Sequence, residues 1–167
     1  MDIKNEVIQK FGNRLRLRVC GICYEEERVL MIKHKGVGPE GYLWSPPGGG
    51  VEFGSSLSEN LIREFKEETG LEIQVLDFMF AYELLQPPFH AVELFFRVKR
   101  LSGKLKTGYD PEMNVKDQII ENAIFMGADE LAREQGPQMH SVFQGVEHPK
   151  QILNLKGYFN FENNYIK

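Results

Sequence analysis

The chain opens on apolar positions three to four residues apart, Ile3, Val7, Ile8 and Phe11, a spacing that predicts a short amphipathic helix stopped at Gly12-Asn13. The period then changes. Arg14-Leu15-Arg16-Leu17-Arg18-Val19 alternates strictly, as a strand with one wet face does, and its three arginines share a side that could meet phosphate groups or simply solvent. Polar residues from Tyr24 to Arg28 predict a hairpin turn. The buried strand Val29-Leu30-Met31-Ile32 follows and ends at Lys33-His34-Lys35. Beyond a loop over Gly36 to Glu40, Tyr42-Leu43-Trp44 leads into Pro46-Pro47-Gly48-Gly49-Gly50, whose backbone can approach a ligand closely.

Leu57, Leu61, Ile62 and Phe65 return to the helical period and predict an apolar stripe that packs on a core. Glu72 to Leu85 reads as a long strand or a bent pair, and His90 to Val98 as another. Between them Gln86-Pro87-Pro88-Phe89 must break the run, because proline cannot continue a ladder. A turn at Leu101 to Lys104 precedes a polar stretch from Thr107 to Asp117, long enough to be a functional loop. Ile119 to Met126 predicts a strand and Ala128 to Leu131 the start of a helix. Ile152 to Phe161 reads as a late strand or an oligomer contact, which leaves room for a homodimer. Strands before and after one central helix predict an α/β fold, a mixed β-sheet between helices, in one domain over residues 1–167.

Composition agrees with an ordered globular chain, 42% apolar and 26% charged. A formal charge of −4 argues against broad binding of nucleic acid polymers or anionic membranes, so any phosphate recognition must be local. The first residues carry no apolar signal core and no apolar run is long enough to span a bilayer, so the expected location is cytoplasmic. Cys20 and Cys23 form a C-x-x-C, but within a strand that spacing sends the two thiols to opposite faces; two buried, inert cysteines are expected.

The chemistry concentrates between Gly49 and Leu71. Opposite the apolar stripe stand Glu64, Glu67 and Glu68, at i, i+3 and i+4, a spacing at which like charges cost roughly 0.2–0.5 kcal/mol per pair. An acidic helix face is most simply a solvated one, paired with Arg63 and Lys66. A hard divalent cation with oxygen ligands would instead turn the repulsion into a site. Ser56 and Glu59 can form a capping box that sets the helix start, and Gly70 can end it in the left-handed conformation. Arg63 lies between Glu59 and Glu67 at i−4 and i+4, able to hold a carboxylate in one rotamer.

This stretch resembles the signature of the Nudix hydrolase (MutT-like) family: a Gly, five residues, a Glu, seven residues, then Arg-Glu-apolar-any-Glu-Glu-any-Gly-apolar. Gly49 opens it, and Arg63-Glu64-Phe65-Lys66-Glu67-Glu68-Thr69-Gly70-Leu71 completes it. The first Glu of the signature falls on Ser55, which puts the loop geometry and full activity in question; Glu52 is the candidate substitute. The resemblance implies an α/β/α sandwich and divalent-metal-dependent hydrolysis of the pyrophosphate bond in a nucleoside diphosphate linked to another group. Nucleotide sugars, ADP-ribose and nucleoside triphosphates are the substrate classes. Under it Glu64 and Glu68 are the main Mg²⁺ or Mn²⁺ ligands, Glu67 a further one, the Gly49 carbonyl completes the shell, and Arg63 orients Glu67.

The general base under this reading is Glu64 or a downstream acid among Glu112, Asp117 and Glu121, with Glu112 favoured for its place in the polar stretch. Arg16, Trp44, Tyr82 and Arg97 are the expected substrate contacts, with Phe89 and His90 nearby. Pro87 lies sixteen residues after Leu71, a spacing found in ADP-ribose-cleaving relatives. The alternatives are a nucleotide-binding sensor of the same fold without turnover, and an unrelated interaction module with an acidic helix.

Overall fold

The computed structural model describes residues 3–111, 113–114 and 118–160. Helix α1 (Ile3–Phe11) precedes the long strand β1 (Arg14–Glu25), and a turn with left-handed Glu26 and Glu27 leads to β2 (Arg28–Lys35). Two short strands follow, β3 (Tyr42–Ser45) and β4 (Gly48–Gly50), then helix α2 (Leu57–Thr69). Strands β5 (Glu72–Gln86) and β6 (Phe89–Ser102) make a hairpin whose turn is Pro87-Pro88, where the sequence requires a break. Strand β7 (Ile120–Met126), helix α3 (Ala128–Arg133), 3-10 turns at Ser141–Phe143 and Pro149–Asn154, and β8 (Gly157–Phe159) complete the described chain.

The strands form a mixed sheet in the order β3-β2-β1-β6-β5-β8, with β4 added on β1 and β7 on β2. Strand β1 runs parallel to β6 over ten residue pairs, while β4 lies antiparallel along Arg18 to Cys20. On one side of the sheet α2 buries Leu61 and Phe65 among Val19, Cys23, Leu30, Leu71, Ile73 and Val98. On the other, α3 and the late 3-10 turns bring Leu131, Val142, Phe143 and Ile152 onto Cys20, Ile22, Phe80 and Phe95. The expected layering of helix, mixed sheet and helix is what the chain adopts.

The two cysteines fall in different clusters, Cys20 in one and Cys23 in the other, because an odd spacing along β1 sends them to opposite faces. Both are free and buried, and burial raises both thiols, that of Cys23 to about 12. Late in the chain, among the described residues of the expected strand, Gly157–Phe159 is β structure, running parallel to Phe80 to Tyr82 of β5, and residues 149–154 form a 3-10 turn instead; Phe161 lies outside the described residues.

Helix α2 starts and stops where its sequence says. The Ser56 hydroxyl accepts the Glu59 N–H at 3.2 Å, and the Glu59 carboxylate accepts the Ser56 N–H at 2.8 Å. Gly70 closes the helix at φ 73°, its N–H on the Lys66 carbonyl. Beyond it the backbone N–H groups of Lys106, Gly108 and Tyr109 bond the carbonyls of Thr69, Glu68 and Glu67, so the following loop satisfies the helix end. The apolar stripe is narrower than its sequence suggests, for Ile62 is exposed and Leu57 only half-buried.

Helix and β1 meet closely at Gly21. A Cβ there would stand 2.4 Å from the Phe65 ring, and that ring is fully buried. Gly21→Ala should therefore cost roughly 1–3 kcal/mol through overpacking, read as a lowered denaturation midpoint with an unchanged slope. A midpoint equal to wild type would mean that α2 does not sit this tightly on β1.

Candidate active site

The packing of α2 turns its acidic face toward the glycine strand. Glu64 and Glu68 are 5% and 4% exposed, whereas the Glu67 side chain is 21% exposed and turns to Arg63. Glu68 Oε2 accepts the Gly48 N–H at 2.9 Å. At Gly49 a Cβ would stand 2.3 Å from the Glu64 carboxyl carbon, so a side chain there would push the Glu64 carboxyl out of its present place against β4. Register does the rest, since pairing with Arg18, Val19 and Cys20 holds β4 at one height above α2.

Arg63 is the hub of this arrangement. Its Nη1 donates to Glu67 Oε2 and its Nη2 to Glu64 Oε1, each at 2.9 Å, and Nη2 lies 3.4 Å from Glu52 Oε1. Glu59, expected as an alternative partner, is instead committed to the capping box. Glu52 thus reaches the arginine from the loop in which Ser55 is exposed and carries no acid. On the opposite flank His34 Nε2 stands 3.9 Å from Glu68 Oε1.

Burial, then repulsion from Glu68, pushes the Glu64 carboxyl up to about 8, and burial also raises Glu67. Two buried carboxylates side by side favour any cation that can replace the missing proton. Among the described residues, no three acidic, imidazole or thiol side chains converge as a ready metal cluster. The donor set nevertheless fits Mg²⁺, which is commonly held by one or two carboxylates together with water and substrate phosphates. Glu64 and Glu68, beside the Gly48–Gly50 backbone, are that pair.

A cavity of about 430 Å³ opens from these carboxylates between α1, the sheet and the 3-10 turn at Ser141–Phe143, within the usual span of roughly 300–1,000 Å³ for small-molecule sites. Glu64, Glu68 and Gly48 to Gly50 line one end; Arg16, Arg18, Tyr82, Glu93 and His140 line the wall, and Val7, Phe11, Leu84 and Phe89 add apolar surface.

Comparison with known proteins decides the family. The family model for the NUDIX domain matches residues 14–144, most of the chain and all of the site just described except the α1 residues Val7 and Phe11. The chain belongs to the Nudix family. It is 33% identical over 112 residues to the ADP-ribose pyrophosphatase of Methanocaldococcus jannaschii, covering 65% of this chain and 66% of that one. A relative from Bacillus subtilis is 27% identical over 141 residues, 78% of this chain and 62% of its own length. The NUDIX hydrolase structure from Nitrosomonas europaea shares the fold with a TM-score of 0.64 at 17% identity, over 78% of this chain and 84% of that one.

Of the substrate contacts expected for this Nudix chain, Arg16 and Tyr82 line the cavity, as do Phe89 and His90. Trp44 does not: it packs in the core, 4% exposed, beside Met139. Arg97 is exposed on β6, at the far end of the strand from the cavity. The cavity takes Leu43 and Ser45 of β3, between which Trp44 turns the other way, the first half of β6, short of Arg97, and the face of β1 that carries Arg16 and Arg18. On that strand the two sides are the reverse of a simple amphipathic reading. Leu15 and Leu17 are 64% and 44% exposed, whereas Arg16 and Arg18 are half-buried, with the Arg16 guanidinium 4.0 Å over the Phe11 ring.

The acids proposed for proton transfer separate in the same way. Glu121 is exposed and paired with Lys33 at 2.9 Å, away from the cavity. Glu112 and Asp117 lie outside the described residues. Asp110, just before them, lines the cavity, its backbone held by Gln118 on both its N–H and its carbonyl. Arg18 belongs to the arginine face that the sequence left open between phosphate and solvent; the residues missed in the sequence are His34, Glu93 and His140. Glu93 had one visible signal, a lone acid in the middle of an apolar strand; His140 had none.

Proposed function

We propose that the chain is a Nudix pyrophosphohydrolase that uses Mg²⁺ or Mn²⁺ to hydrolyse the pyrophosphate bond of a nucleoside diphosphate linked to another group, with ADP-ribose as the first candidate. The observation that carries it is the pair of buried carboxylates, Glu64 and Glu68, at the end of a cavity walled by Arg16 and Arg18. Carboxylates alone would repel a pyrophosphate, and the arginines alone would bind it without reason for the acids. A divalent cation bound there supplies charge neutralisation at the phosphoryl oxygens and a lowered pKa for water.

The chain's own groups do the positioning. Gly48 holds Glu68 through its N–H, and Arg63 fixes Glu67 and Glu64 in single orientations. Water adds to one phosphorus, the bridging P–O bond breaks, and the proton of the water passes to an acid. Glu112 remains our proposal for that acid, supported by its neighbour Asp110 on the cavity wall. ADP-ribose as substrate is supported by the Methanocaldococcus jannaschii relative and would yield AMP and ribose 5-phosphate.

A cytoplasmic setting goes with this proposal, supported by the two free thiols, as does a homodimer, supported by the exposed side chains Leu15, Leu17 and Leu85. Among the described residues no helix is long and apolar enough to cross a membrane. The deciding experiment is release of nucleoside monophosphate from ADP-ribose, nucleotide sugars, deoxynucleoside triphosphates and diadenosine polyphosphates, with Mg²⁺ and then Mn²⁺. Turnover of ADP-ribose above the other classes is expected. Silence across the panel, with ligand binding intact, would replace the hydrolase by a nucleotide-binding sensor.

A further inference from the structure

Arg18 occupies the middle of the sheet, paired with Gly50 of β4 on one side and Glu93 of β6 on the other, which brings it beside the glycine strand that faces Glu64. Its guanidinium is bonded to Glu93 through Nε alone, at 2.9 Å to Oε1. The second oxygen of Glu93 is taken by His140, whose Nε2 stands 2.6 Å from Oε2. His140 Nδ1 accepts the Val142 N–H at 3.3 Å, so the imidazole carries its proton on Nε2 and donates it to Glu93. The rings of Tyr82 and Phe95 stand edge-on to the imidazole, at 5.1 and 5.6 Å, and hold its plane.

With Oε2 occupied, Glu93 does not form the two-bond fork that an arginine and a carboxylate otherwise prefer. The Nη groups of Arg18 are therefore not bonded to it, on a side chain that lines the cavity. Burial would raise the Glu93 carboxyl, yet its contacts with His140 and Arg18 hold it down at about 2, so the acid stays an anion. Well-packed apolar residues could often replace a buried ion pair of this kind without loss of stability, so stability alone does not account for it, although removing one partner would leave the other charge buried and unpaired.

We propose that Arg18 is a phosphate-gripping residue, held side-on by Glu93 and His140 so that its Nη groups meet the substrate's diphosphate next to the Glu64 and Glu68 carboxylates. Glu93 and His140 are positioning residues in this scheme. The proposal rests on the cavity being a nucleotide diphosphate site, as read above. It does not require that turnover occur.

The test is equilibrium binding of ADP-ribose, with adenosine as the phosphate-free control, in EDTA, for wild type, Arg18→Gln, Arg18→Lys and Glu93→Gln. Wild type should bind ADP-ribose more tightly than adenosine. In Arg18→Gln the affinity for ADP-ribose should fall roughly ten- to a hundredfold, the scale of a charge-assisted hydrogen bond, while that for adenosine is unchanged. Arg18→Lys should recover part of the loss, and Glu93→Gln, measured below its lowered melting temperature, should show a smaller loss confined to ADP-ribose. The proposal is overturned if wild type shows no preference for ADP-ribose, if Arg18→Gln keeps wild-type affinity, or if both ligands weaken together. An unchanged Glu93→Gln would remove the positioning role. A preserved preference without turnover in Mg²⁺ would instead count against the hydrolase alone.

Discussion

Glu68→Gln is expected to lower metal-dependent turnover by roughly a hundredfold or more, the scale seen when one group that stabilises developing charge is removed from a preorganised site. The variant should fold normally. Its amide oxygen can still accept the Gly48 N–H now made to Oε2, and losing the charge relieves repulsion on Glu64. Initial rates in Mg²⁺ beside thermal melts in EDTA separate the two effects. Wild-type rates would remove Glu68 from the site, and a collapsed melting temperature would show that its role is structural.

The metal-free protein should lose stability as pH rises from about 5 to 9, by up to a few kcal/mol, and a divalent cation should abolish most of that slope. The Glu64 carboxyl is raised to about 8 by burial and by Glu68, against an unfolded value near 4.5. A raised acid binds more protons folded than unfolded, so its contribution is fully present below about pH 4.5 and is lost as pH climbs through 8. Glu93 has the opposite sign. Held at about 2, it contributes above its unfolded value and loses that contribution only as pH falls toward 2, outside this window. Melts at pH 5.5, 7 and 9 in EDTA and in Mg²⁺ measure the slope directly, and Glu64→Gln should flatten it. A flat EDTA profile for wild type would mean that Glu64 is solvated and not poised to exchange its proton for a cation.

Much of the site's framework was legible because it is local. The capping box Ser56 and Glu59, the left-handed Gly70, the three glutamates and Arg63 lie within fifteen residues, and helix geometry alone places them. The glycine run before the helix likewise announces a close approach, realised at Gly49. Periodicity placed the strands, and the odd spacing of Cys20 and Cys23 sent them to separate cores. What periodicity misjudged was which face of β1 is wet. Alternation says only that Arg16 and Arg18 share a side. Leu15 and Leu17 are nevertheless exposed, because α2 covers the sheet only farther along, from Val19 onward.

The amino-acid sequence by itself determined α2, its caps, the carboxylate cluster and the longer strands, since each depends on residues a turn or a strand-length apart. Only the tertiary structure decided what stands opposite the cluster. Arg18, Glu93 and His140 come from two strands and a late turn, and His140 reaches Glu93 across 47 positions of sequence. The parallel register of β1 with β6 sets Arg18 beside Glu93, while Trp44 turns into the core between two residues of β3 that line the cavity. Contacts made by register and packing between distant segments leave no period in the chain, and this half of the site has no local signature.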